Sequence, residues 1–199
     1  VWNMTANMFN SPLPFANIVP AIPGSVRPFG YVYQATAPRG YLLIAATPGV
    51  NVARTVIHPW EGVWLRTDGN PATINVTPPQ VGSTDTQAAP QELSLGANGW
   101  SATIVAKAAD SQDVTTTVGV GPSLAAGLQL ENPPMAPQSV DVYLTAADGR
   151  YLSQDIKAGV VTTQSWDFSV VSDLPSTNIA LSLPDLSKVP ADLAVYLTD

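Results

Sequence analysis

The sequence predicts an all-β protein made of two β modules, and three observations carry that reading. The 199 residues hold 19 prolines and 14 glycines, spread along the whole chain. Proline lacks a backbone donor and clashes with the preceding helical turn, and no window of about 12 residues keeps a 3.6-residue apolar period free of it. Short runs rich in Val, Ile, Thr and Tyr recur between turn residues, as in a sandwich or barrel.

The first run is VWNMTANMF. Trp2, Met4, Ala6 and Met8 alternate with Asn3, Thr5 and Asn7, which gives a strand with one apolar face. The turn-forming NSPLP follows. GYVYQAT (30–36) and GYLLIAAT (40–47), joined by APRG, read as a hairpin. NVARTVI (51–57), VWLRTD (63–68) and PATINVTP (71–78) complete a first module over residues 1–78. The polar, proline-bearing PPQVGSTDTQAAPQ has no period and reads as a linker over 79–92.

The second module spans 93–199. Its strands are expected at LSL (93–95), WSATIVAKA (100–108), TTTVGV (115–120), SVDVYLTA (139–146), WDFSVVS (166–172), NIALSLP (178–184) and LAVYLTD (193–199). That number of short strands, at that spacing, fits an immunoglobulin-like antiparallel sandwich. PSLAAGLQL is broken by Gly127 and reads as a loop or a single turn.

Composition narrows the function classes. Hydrophobic residues make up 45%, enough for a packed core, while charged residues are only 12%, about half the usual ~25%. Eight Lys and Arg stand against 15 Asp and Glu, a net charge of -7. The basic footprint that nucleic acid requires is missing, and anionic membrane surfaces repel such a chain. There is no cysteine, hence no disulfide framework, thiolate metal site or cysteine nucleophile. No apolar run approaches the ~18 residues of a membrane helix. No signal peptide opens the chain, so Val1 reads as a mature or excised N-terminus.

The motifs of the second module are GWSATIVAKAADSQD, VGVG, ENPP, SVDVYLTAADGRYLSQDIK, WDFSVVS and IALSLPDLSKVPADLAVYLTD. It resembles the C-terminal β-sandwich modules of large secreted bacterial surface proteins. The first module, with WNMTANMFNSPLPFANI, GYVYQ, GYLLI and PWEGVWLR, resembles the segment that precedes such modules. These motifs are core and turn residues. The resemblance therefore implies a fold, an extracellular or cell-surface location and a role in adhesion, display or matrix, and it brings no catalytic residue with it. In such proteins the modules close a much longer chain, so the strand VWNMTANMF is expected to lack part of its own sheet.

HPWEGVWLRTDG (58–69) is the richest candidate site. Pro59 fixes one φ and Gly62 can supply a positive one, so Trp60-Glu61-Gly62 reads as a tight turn that sends Trp64 inward and leaves Trp60 capping an open end. The rival reading is sugar stacking on Trp60, with Glu61 or Asp68 as polar partner and Tyr31, Tyr33 and Tyr41 lining the groove. His58 is the only histidine; it has no second histidine or cysteine to share a metal, and a Ser-His-Asp triad, arithmetically possible, lacks a GxSxG-type elbow and the α/β scaffold it needs. Glu61, Glu92 and Glu131 lie in turns or the linker and show no paired acid site for glycoside hydrolysis. Asp110 and Asp113, with Ser111, are secondary calcium candidates, while Asp148 in ADGR and the other loop acids read first as turn formers. Asn3 and Asn75 match the glycosylation sequon, a coincidence in a bacterial chain.

The expected function is non-enzymatic and without cofactor: an extracellular subunit that associates with copies of itself into a surface fibre or matrix. Residues 1–26 contain no charged side chain, which leaves an edge strand without the gatekeeping charges that prevent pairing. Residues 1–9 would add to a neighbour's sheet, with Trp2, Met4 and Met8 as subunit contacts. The alternative is a module that binds polysaccharide or another surface ligand.

Overall fold

The computed structural model describes residues 1–69, 72–79, 89–124, 126–159 and 163–198. The protein is all-β. Its strands are β1 (Trp2–Ala6), β2 (Leu13–Pro14), β3 (Ile18–Pro20), β4 (Val26–Gln34), β5 (Gly40–Ala45), β6 (Val56–Ile57), β7 (Gly62–Thr67), β8 (Ile74–Val76), β9 (Trp100–Thr103), β10 (Val105–Ala108), β11 (Ser111–Asp113), β12 (Thr117–Gly121), β13 (Leu128–Glu131), β14 (Val140–Thr145), β15 (Tyr151–Ala158), β16 (Phe168–Ser172) and β17 (Ala180–Ser182). Among the described residues the only helical element is the 3-10 turn Phe15–Asn17. The chain forms two compact units, Val1–Leu93 with Pro133–Ser139, and Ser94–Asn132 with Val140–Asp199.

The main sheet of the first unit runs β1-β7-β4-β5. The register sets Met4 opposite Trp64, Trp64 opposite Tyr31, and Tyr31 opposite Leu43. A two-residue period then sorts the side chains. Val32, Ile44, Val63 and Leu65 face one way and meet Leu13, Phe15, Val26 and Ile57 in a buried core. Another group is aromatic. Trp2 meets Tyr31 at 5.7 Å and Phe29 at 6.3 Å, and Tyr31 meets Tyr41 at 6.3 Å, all edge to face. Such pairs contribute roughly 0.5–1.5 kcal/mol each beyond their burial. Trp2 therefore packs within its own unit. The segment Pro133–Ser139 joins here, with Tyr41 Oη donating to the Pro134 carbonyl at 2.9 Å.

The second unit has a sheet β16-β14-β15-β12-β9, with β13 also on β15, and a second sheet β11-β10-β17. The core between them takes Trp100, Ala102, Val118, Val120, Val142, Leu144 and Leu152 from the first sheet and Ala106 and Ala108 from the second. The pairing is not wholly antiparallel as the sequence suggests. β12 runs parallel to β15, which a crossover connection through β13 and β14 allows.

Several boundaries differ from expectation. WSATIVAKA splits at Ile104 into strands of two different sheets, and NVARTVI contributes only Val56–Ile57 to a strand. β11, β13 and β15 were not expected from the sequence. Residues 93–95 form no strand, nor do 193–198; Asp199 lies outside the described residues. So do 80–88 of the expected linker, as well as Asn70 and Pro71. Gln91 and Leu93 both hydrogen-bond Gly49, at 3.1 Å each.

Candidate functional site

The expected tight turn before β7 is present, but its backbone differs from the reading above. Gly62 is not the residue with positive φ; Trp60 is, at 62°. A bulky residue in the left-handed region is an outlier, held only where its surroundings over-determine it. Those surroundings are visible. Arg54, 7% exposed, donates through Nη2 to Glu61 Oε1. The His58 amide donates to Glu61 Oε2 at 2.9 Å, so both carboxylate oxygens are engaged. Arg54 Nη1 also lies 2.8 Å from His58 Nδ1; arginine only donates, so that nitrogen is the acceptor. Arg54, His58 and Glu61 thus hold one another in place around the turn.

The residue that joins this turn to β1 is Asn7, which the sequence reading treats only as the polar side of a strand. It is fully buried. Its amide donates to the carbonyls of Ser11, Ile57 and His58 at 2.9–3.1 Å, and its Oδ1 accepts from the Phe9 amide at 2.9 Å. Its backbone carbonyl accepts from Trp60 N at 2.9 Å, and its amide donates to the Glu61 carbonyl at 3.0 Å. Removing this side chain breaks one buried and three part-buried hydrogen bonds, of whose partners the His58 carbonyl keeps the Glu61 amide, at ~1–3 kcal/mol for the set. Asn7→Ala is therefore expected to lower the urea midpoint of the first unit by an amount worth about 3 kcal/mol and to increase amide exchange in the 58–62 turn.

Around this staple lies an exposed apolar group. Met4 is 69%, Met8 75% and Trp60 69% exposed. β1 is the outer strand of its sheet. Val1 and Thr67 exchange backbone hydrogen bonds at 2.6 and 2.8 Å, and Asn7 bonds Glu61. Antiparallel pairing alternates, so Val1, Asn3, Thr5 and Asn7 address β7 while Trp2, Met4 and Ala6 turn their N–H and C=O outward. Among the described residues no strand covers that edge. Edge strands usually carry a charge, a proline or a bulge to prevent pairing; β1 has none of these.

The other sequence-predicted residues are placed as follows. Tyr31 is fully buried, and Tyr33 and Tyr41 are half-buried, 5.3 Å apart ring to ring. They form no exposed row with Trp60. Asp68 pairs with Arg27 at 3.2 Å, and Glu131 with Arg150 at 3.5 Å. Glu92 is exposed. Asp148 accepts from Arg150 Nε at 2.6 Å, and this hydrogen bond holds its carboxyl below the usual range.

Asp110 is exposed. Asp113 is buried, with Oδ1 accepting from the Thr115 amide and hydroxyl at 2.7 and 2.8 Å and Oδ2 from the Val142 amide at 2.7 Å and the Thr116 hydroxyl at 3.3 Å. Its lone pairs are committed to the chain, which leaves little for calcium. Among the described residues no group of three or more His, Asp or Glu converges as a metal site. Asp113 has a different companion. Asp141 is 8% exposed, bonded to Asp113 and to Asn132 Nδ2, the latter at 2.8 Å. Burial and the Asp113 charge push Asp141 up to about 7. Burial also raises Asp113, against the pull of its four donors.

Compared with family models, curated proteins and solved structures, the chain matched none. Among the described residues no helix is long and apolar enough to cross a membrane.

Proposed function

We propose that this chain is a non-enzymatic structural subunit of an extracellular surface fibre or matrix, and that it associates with copies of itself through strand addition. One observation carries the reading: β1 is an uncharged edge strand whose outward backbone groups are unpaired among the described residues, flanked by exposed Met4, Met8 and Trp60. Backbone addition at such an edge supplies affinity, and the flanking side chains supply selectivity. The structure shifts the role expected for residues 1–9. Trp2–Ala6 pair with β7 of their own chain, so in this proposal β1 receives a strand rather than donating itself. The extracellular location and the immunoglobulin-like character of the second module belong to the same reading, supported by the sparse charge and the resemblance to secreted surface modules.

The test is the assembly state of the native protein, taken from its source and viewed by electron microscopy. Regular fibres or lattices support the proposal, and dispersed monomers overturn it. Monomers transfer the weight to a second reading, polysaccharide binding, which is favoured by one observation: Trp60 is held in a left-handed conformation and is 69% exposed. Under that reading Trp60→Ala abolishes binding on a polysaccharide panel while the fold is kept.

A further inference from the structure

The free edge of β1 has a counterpart elsewhere in the chain. Residues 193–198 read LAVYLT, β-branched and aromatic residues of the kind that fill strands. Leu193 is partly buried against the core of the second unit. Beyond it the chain makes no ladder: among the described residues Ala194–Thr198 belong to no strand and form no backbone hydrogen bond. Tyr196 is 80% and Leu197 45% exposed. A segment of strand composition with its backbone groups open and its large side chains in water is poised to pair.

We propose that segment 193–198 of one copy adds as an extra strand to the outer edge of β1 in a second copy. This deepens the self-association reading above and rests on it. The two stretches are matched in length, five residues in β1 against five in 194–198. They are also matched in chemistry, since neither carries a charged side chain, so the new ladder brings no like charges opposite one another. An antiparallel register with Tyr196 opposite Met4 gives partners to the outward N–H and C=O of Trp2, Met4 and Ala6. It also lays the Tyr196 ring beside the Met4 sulfur, a favourable contact. Donor and acceptor are different surfaces, so the contact is heterologous. Each added copy brings a new free edge and uses one free segment, and growth is open-ended rather than closed at a dimer.

Complementation tests this. Three chains are compared by sedimentation velocity over a wide concentration range: the native chain, Met4→Lys, and a chain ending at Leu193. Met4 is solvent-exposed, so Met4→Lys keeps the fold while placing a charge on the receiving edge. The native chain is expected to form concentration-dependent oligomers, and each variant alone to sediment as a monomer. Mixed, the two variants are expected to form a one-to-one dimer that grows no further, because one supplies the segment and the other the edge. Met4→Gln, neutral at the same site, is expected to retain assembly. Should the shortened chain fail to fold, a synthetic peptide of residues 193–199 added to the native chain must convert its oligomers to monomers. Native oligomers that persist without residues 194–199, or that resist the peptide, overturn the proposal and leave self-association standing. A native chain that is monomeric throughout overturns both.

Discussion

Gly119→Val is expected to unfold the second unit at temperatures where the native chain is folded. Gly119 is the middle residue of β12, which is held between β9 on one side and β15 on the other. A Cβ at this position would lie 2.2 Å from the Trp100 carbonyl oxygen, 2.9 Å from Ser101 Cα and 3.0 Å from Ile156 Cδ1. The first two are backbone atoms of a paired strand, so no rotamer change can relieve the contact; β9 would have to separate from β12. That separation removes ladder hydrogen bonds and opens the core at Trp100, Val118 and Val120. Overpacking where side chains can move costs ~1–3 kcal/mol, and a clash with backbone lies at or above the top of that range. Even Gly119→Ala meets the same backbone contacts, so alanine is expected to cost about 3 kcal/mol and valine more. Urea titration, with exchange of the β12 and β15 amides as readout, checks the order native, alanine, valine. Equal midpoints for all three would show that β9 and β12 are not paired at this register.

What the sequence reveals depends on whether a strand shows its period. GYVYQAT, GYLLIAAT and VWLRTD are runs of strand-forming residues, and they become β4, β5 and β7. β15 is the instructive miss, because it is the strand that β12, β13 and β14 all pair with. YLSQDIKA places Leu152, Gln154 and Ile156 on alternate positions, and Gln154 is fully buried. A polar residue inside the core erases the apolar period that would announce the strand. The turn before it, ADGR, was legible. LAVYLT (193–198) fails the other way: it has strand composition but pairs with no strand among the described residues. At the candidate site the exposed Trp60, the neutral edge and Met4 were legible as residue types. The role of Asn7 was not, because its contacts span about fifty residues, and neither was the positive φ at Trp60, which Asn7 and the Arg54–Glu61–His58 contacts hold together. The Asp113–Asp141 pair is similarly non-local; the sequence shows two acids 28 positions apart with nothing to join them.

That pair sets the second large expectation, a loss of stability as pH rises. Asp113 accepts four hydrogen bonds from the chain, so the charge of the pair resides there. Asp141 has Asn132 on one side and Asp113 on the other, and two carboxylates in contact without a proton repel. The proton therefore sits on Asp141, donated to Asp113. In the folded chain it leaves only at about pH 7, whereas in the unfolded chain it leaves near the ordinary 3.8. Between those two values the folded state binds more protons than the unfolded state, so stability falls as pH increases. The stabilising contribution is complete below about 3.8 and lost above about 7. Some three pH units at 1.36 kcal/mol each give a loss of about 4 kcal/mol for the second unit. Urea midpoints followed by exchange of the β12 and β14 amides should decline from pH 4 to 8. Asp141→Asn replaces the shared proton with a permanent amide donor of the same shape, its oxygen still accepting from Asn132 and its nitrogen donating to Asp113. The variant should lose the part of the decline that Asp141 causes, keep only the part that belongs to the raised Asp113, and exceed the native chain above pH 7. If both chains decline in parallel, the pH dependence originates elsewhere and Asp141 does not hold the proton.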